Sequence, residues 1–135
     1  MRWRRPATPE WGLVNDVSEW PTDKLTALRL GRRLVAEVPA TRTGRRAFVD
    51  ITPRQTVRDS EAREQGWAHS DADRAFRLEH WEYDGELIDG FDYDIGAVLV
   101  TSAEVADEDE LMAMLIAWQL GPRRFSYPWN TEDPR

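Results

Sequence analysis

The chain reads as an α+β domain, an antiparallel or mixed sheet of about five strands with one principal C-terminal helix packed on one face. Three observations predict this. A capped helical segment with one apolar face stands near the C-terminus. Short apolar or alternating runs, separated by turn residues, precede it. Seven Trp, three Tyr and four Phe among 135 residues supply the bulk of a core and exclude intrinsic disorder. The length suits one domain, so residues 1–135 are expected to form a single compact unit with short flexible tails at 1–9 and 130–135.

Near the front, Asp23 can cap a short helix carrying Leu25 and Leu28 and ending before Gly31, although Leu28, Leu30, Leu34 and Val38 also alternate as in a strand. Leu34–Val38 and Ala47–Ile51 suit a strand pair joined across Thr41–Gly44. Thr52, with Pro53 at the first helical position and Gln55 at the third, suits the start of a helix that ends at Gly66. Its apolar face is thin, holding Val57 and Ala62. Phe76–Tyr83 and Glu86–Ile88 flank Asp84-Gly85, a two-residue hairpin signal, and Asp89-Gly90 offers another turn.

Ala97-Val98-Leu99-Val100-Thr101 has no polar residue before Thr101, as expected of a central strand buried on both faces. The principal helix runs from about Glu108 to Leu120. Asp107 can cap it with Glu110 as the capping-box partner, and Leu111, Met114, Leu115 and Trp118 fall on one face. Gly121 suits the C′ position, Pro122 blocks continuation, and Arg123 and Arg124 suit the negative end of the dipole. Phe125–Trp129 suits either a last edge strand or an aromatic tail.

Charge and composition narrow the function. The chain has 25 acidic and 18 basic residues, a formal charge of −7. Residues 1–67 carry a net +4 and residues 68–135 a net −11. In a compact domain this contrast either makes a dipolar surface or pairs the two halves with each other. Cysteine is absent, which excludes disulfides, thiolate metal sites and a cysteine nucleophile. No apolar run approaches the ~20 residues of a membrane-spanning helix, and no charged-then-apolar leader opens the chain. A cytoplasmic location without membrane contact is therefore expected. Arg2, Arg4 and Arg5 around Trp3 suit either a basic arm or a frayed terminus, and the overall acidity argues against a nucleic-acid partner.

No phosphate-binding Gly-rich loop, nucleophile elbow or H-E-x-x-H helix is present. His69, Asp71 and His80 have the residue types of a two-His, one-carboxylate metal site, which would make the protein a small metal-dependent or acid–base enzyme. The run from Asp89 to Gly96 lacks the spacing and closing Glu of a calcium loop. No cofactor is implied.

One constellation stands out. Glu79, Glu82, Asp84, Glu86, Asp89, Asp92 and Asp94 alternate with Trp81, Tyr83, Phe91 and Tyr93. On a strand, Trp81 and Tyr83 share one face while Glu82 and Asp84 point to the other. This pattern suits a plain division between core and water. It also suits an acidic face with aromatic anchors, drawn to a basic protein surface. On the second reading the partner-binding residues are Glu79, Trp81, Glu82, Tyr83, Asp84, Glu86, Asp89, Asp92, Tyr93 and Asp94. The protein is then expected to be an immunity- or antitoxin-like inhibitor that occludes a basic partner, such as a nuclease toxin. An oligomeric accessory or structural subunit, with the same residues at a homo-oligomer interface, is a further alternative.

Overall fold

The computed structural model describes residues 20–134; the expected tail at 1–9 and the basic arm around Trp3 lie outside that range. The described chain is α+β. In order it forms α1 (Thr22–Arg29), β1 (Leu34–Val38), β2 (Arg45–Pro53), α2 (Val57–Glu64), β3 (Phe76–Asp84), β4 (Val98–Val105) and α3 (Glu108–Ala117), then two 3-10 turns, Pro122–Arg124 and Pro128–Asn130. The strands make one antiparallel sheet in the order β1-β2-β3-β4. Among the described residues the sheet thus has four strands rather than five, because Glu86–Ile88 and Phe125–Trp129 form none.

Residues opposed across antiparallel strands share a face, and the register sorts the core accordingly. Leu34, Ile51, Leu78 and Ala103 form one row, and Ala36, Val49, His80 and Thr101 the next. Leu34, Ala36, Val49, Ile51 and Leu78 belong to the main buried cluster, which also holds Ala27 and Leu28 of α1, Leu111 and Leu115 of α3, and Phe125. The opposite face carries a smaller cluster of Val35, Phe48, Tyr83 and Ile88. Beyond the outer edge of β1, the backbones of Val35 and Ser126 exchange hydrogen bonds, so Phe125–Trp129 serves as a flank rather than a strand. Arg33 reaches Asp133 at 2.9 Å and Arg46 reaches Glu132 at 2.6 Å, tying the end of the described chain to the sheet.

The helix ends follow local chemistry. β2 continues through Pro53, a position a strand end tolerates, so the second helix starts later than Thr52 and Pro53 suggest. Its cap is Thr56, whose hydroxyl accepts from the Asp59 amide while the Asp59 carboxylate accepts from the Thr56 amide. Asp107 caps α3 by accepting from the Glu110 amide, as its spacing predicts, and Glu110 reaches back to the Ala106 amide. The other end differs from expectation. Gln119, not Gly121, adopts the left-handed conformation, with φ 59°. The Leu120 amide donates to the Leu115 carbonyl and the Gln119 amide to Ile116, which is a Schellman arrangement with glutamine at C′.

The deepest polar group is Arg74, which has no exposed surface. Its guanidinium uses all five of its donors. Nε donates to the Arg29 carbonyl at 2.9 Å, and Nη1 to the Arg54 carbonyl and Asp59 Oδ2. Nη2 donates to Asp59 Oδ1 at 2.6 Å and to the His69 carbonyl at 3.0 Å. One side chain thereby joins the end of α1, the exit of β2, the start of α2 and the loop before β3. Gly31 passes close above it: a Cβ there would lie 3.2 Å from Gln55 Nε2 and 3.7 Å from the Arg74 guanidinium. Nearby, Arg29 grips Glu108 with two hydrogen bonds of 2.8 Å and fastens α1 to the start of α3.

Removing one partner of a buried ion pair leaves the other charge desolvated and unpaired, at about 3–5 kcal/mol. Arg74→Leu is therefore expected to lower unfolding free energy by about that amount, measured as a fall in urea midpoint. A loss below 1 kcal/mol, roughly the worth of an exposed pair, contradicts the role given to Arg74. A left-handed conformation costs a non-glycine residue about 1–2 kcal/mol, partly offset by the greater chain entropy of an unfolded glycine. Gln119→Gly is accordingly expected to raise thermal stability by about 0.5–1 kcal/mol, and a destabilised variant contradicts this.

Candidate functional site

The acidic-aromatic stretch divides into a structural part and a presented part. Trp81 and Tyr83 share the face away from α1 and α3, as their alternation predicts. Their rings are near-parallel, 6.4 Å apart, and Tyr83 also meets Phe48 and Tyr93. Tyr83 is buried and Trp81 half-buried, its indole nitrogen donating to Glu79 Oε1 at 3.2 Å. Glu82 points to the opposite face, and it is buried rather than solvated. Its carboxylate accepts from the Thr41 amide at 2.6 Å and the Thr41 hydroxyl at 3.0 Å, with Arg45 Nε at 3.4 Å. Burial pushes the Glu82 pKa up, but the Thr41 bonds, Arg45 and His80 outweigh it and hold the carboxyl below its ordinary value. Glu82 and Tyr83 are both buried, so in this fold they belong to the framework, and the exposed residues of the stretch form the candidate surface.

The presented part is the long connection from β3 to β4. Gly85 opens it beside the β1–β2 turn: its amide donates to the Gly44 carbonyl at 2.9 Å, and a Cβ would meet that oxygen at 3.0 Å. The Asp84 carboxylate accepts from the Glu86 amide at 2.9 Å, a local turn that replaces the expected return strand. Ile88 is buried against Val35, Phe48 and Tyr83, and Tyr93 and Ala97 pack on the same cluster. At the far end, Arg45 Nη2 donates to the Gly96 carbonyl at 2.6 Å and the Glu82 carbonyl at 3.1 Å. Anchored in this way, the connection turns Glu86, Asp89, Asp92 and Asp94 to water, with Phe91 fully exposed and Ile95 exposed beside them.

The surface continues onto β4. The expectation of a central, doubly buried strand at Ala97–Thr101 is overturned: β4 is an edge strand, with Val98, Leu99 and Val100 at 49%, 42% and 40% exposure. A bulge there opposes His80 to Thr101 and Trp81 to Leu99, leaving Val100 without a facing residue. Among the described residues no strand pairs with the outer side of β4, and neither proline nor lysine blunts it. Phe91 stands in the acidic-aromatic pattern of the sequence, whereas Ile95, Val98, Leu99 and Val100 are the surface residues that sequence reasoning missed. A short apolar run carries no mark that separates a buried strand from an open edge.

The possible metal ligands do not gather. His69 Nε2 lies 3.3 Å from Asp71 Oδ2, and that carboxylate, held below its ordinary pKa mainly by the Asp73 amide, turns the loop before β3. His80 sits in mid-sheet on the α1/α3 face, between Val49 and Thr101. No three His, Asp or Glu side chains among the described residues are arranged to hold a metal ion. None of the described helices is long and apolar enough to cross a membrane. No protein-family model, curated protein or solved structure matches the chain.

The carboxylates of Glu82 and Asp59 both have depressed pKa values in the fold, Asp59 chiefly through Arg74. A depressed carboxylate contributes stability that is present above its unfolded pKa and lost as pH falls through the folded one. Unfolding free energy is therefore expected to begin falling below about pH 6.5, where an unfolded His80 takes up a proton that the buried ring does not, and to fall further below about pH 4.5 as the carboxylates protonate. Glu82→Gln, which returns an amide donor toward the Thr41 donors, is expected to cost about 1–3 kcal/mol at pH 7 and to flatten part of that acid limb. An unchanged acid limb in this variant contradicts the role assigned to Glu82.

Proposed function

We propose that this protein is a cytoplasmic protein-binding module that inhibits by occlusion, in the manner of an immunity protein or antitoxin. Its docking surface is the anchored acidic connection together with the open edge of β4. The observation that carries the reading is the exposure of Phe91, Asp89, Asp92 and Asp94 on the connection and of Val98–Val100 on the strand that follows it, the latter flanked by Arg42 and Arg45. Contiguous exposed apolar groups mark interaction surfaces, and an open strand edge adds backbone hydrogen bonds to a partner's strand. The neighbouring carboxylates select a basic partner and speed its approach, while the apolar groups hold it once docked. A basic active-site cleft, such as that of a nuclease, has the complementary charge. The open edge also supports a second reading, a homodimer through paired β4 strands, which sedimentation velocity distinguishes by mass.

The test begins with capture of the partner from host lysate on tagged protein, washed from low to high salt. It is completed by rate measurements on the purified pair. Reversing Asp89, Asp92 and Asp94 to lysine is expected to slow association about tenfold or more and weaken its salt dependence, while Phe91→Ala mainly speeds dissociation. A folded triple variant that associates at the native rate rejects the surface.

A further inference from the structure

On the opposite face of the sheet from Tyr83, a hollow of about 410 Å³ is lined by Val38, Pro39, Val49, His80, Thr101 and, from beyond α3, Trp118, Gln119, Leu120 and Arg124. Its volume is that of a small-molecule site. Apolar side chains make most of the lining, with a few polar groups from three different segments, the composition such sites show.

Two features of the lining are unexplained by folding. His80 Nε2 is buried without a hydrogen-bond partner, and buried polar atoms in native proteins are rarely left so. Gln119 holds the left-handed position that glycine would occupy without strain. Strain of this kind gathers at ligand-binding positions. Keeping a side chain there puts a primary amide at the rim. The charge of the site is also defined. Arg124 donates to the Glu37 carbonyl at 3.0 Å and has no carboxylate partner among the described residues. None of the described residues that line the hollow is acidic, the buried Glu82 carboxylate acting on the His80 ring from outside it. Two of the last carbonyls of α3, those of Leu115 and Ile116, are already taken by amides, which reduces the negative character of that helix end. Burial lowers the pKa of His80 although Glu82 pulls the other way, so the ring stays neutral near pH 7 and can donate one hydrogen bond.

From this geometry we infer that the hollow is a binding site for a small monocarboxylate with an apolar or aromatic body. The carboxylate meets Arg124, the Gln119 amide and the His80 ring, and the body lies against Trp118, Val38, Val49 and Leu120. The inference is independent of the docking surface, which lies on the β3–β4 connection and the outer edge of the sheet.

Phenylacetate is the probe, with benzylamine as the cationic counterpart and acetate as the headgroup alone, each titrated at pH 7 and constant ionic strength. The readout is the NMR shift of the His80 ring nitrogens and the Trp118 indole. Saturable shifts with phenylacetate are expected, with binding about tenfold or more tighter than for either comparator, since a charge-assisted contact is worth about that factor. Arg124→Gln is expected to weaken phenylacetate binding about tenfold. Gln119→Gly is expected to weaken it several-fold while the protein melts at a higher temperature, which separates lost contacts from lost folding. Shifts that fail to saturate, equal binding of benzylamine, or native affinity in Arg124→Gln overturns the inference.

Discussion

The fold depends on one buried guanidinium. Arg74 lies where α1, the end of β2, the start of α2 and the loop before β3 converge, and three main-chain carbonyls there have no partner in the sheet. An apolar residue would leave the Arg54 and His69 carbonyls without this donor and the Arg29 carbonyl with the Asp71 amide alone, and a shorter cation could not reach three carbonyls and a carboxylate at once. Asp59 supplies the countercharge, and because it also completes the capping box of α2, charge neutralisation and helix initiation are the same event. The thin apolar face of α2 then becomes understandable. This helix is held by its N-terminus on Arg74 more than by its side, and Asp59 is its buried residue.

The rest of the structure follows from the two faces of the sheet. Regular alternation sends Leu34, Ala36, Val49, Ile51 and Leu78 into the main cluster and Val35, Phe48 and Tyr83 into the second. Among the described residues, no helix covers the second face. The β3–β4 connection does so instead, with Ile88 and Tyr93 as its apolar contacts and Arg45 and Gly44 holding its two ends. A connection with this duty cannot be short. Its outward residues include the acidic ones, Phe91 and Ile95. A working surface on a loop fixed by a rigid scaffold is a common arrangement for recognition.

Much of this was legible in the residues, and the failures share a cause. The helix at Glu108, its Asp107 cap, the Leu34–Val38 strand with its turn at Thr41–Gly44, and the opposite orientations of Glu82 and Trp81 all follow from local spacing. Local spacing could not show that Glu82 points toward Thr41 and Arg45 rather than water, since those partners lie about forty residues away in the chain. Nor could it show that, among the described residues, the apolar Val98–Val100 run has no fifth strand beside it. Arg74 gave no signal at all, standing as one more charge in a loop rich in them. Thr52-Pro53 imitated a helix start because proline suits the end of a strand as well as the first turn of a helix.

The central claim is that the protein works through the β3–β4 connection and the outer edge of β4. Amide hydrogen exchange, compared between the free protein and its complex with the captured partner, tests it most directly. The account predicts new protection at Val98–Ser102 and across Asp89–Ile95, with the amides of α2 and the Arg74 region unchanged. Protection confined to the helices, with β4 exchanging as fast in the complex as alone, contradicts it.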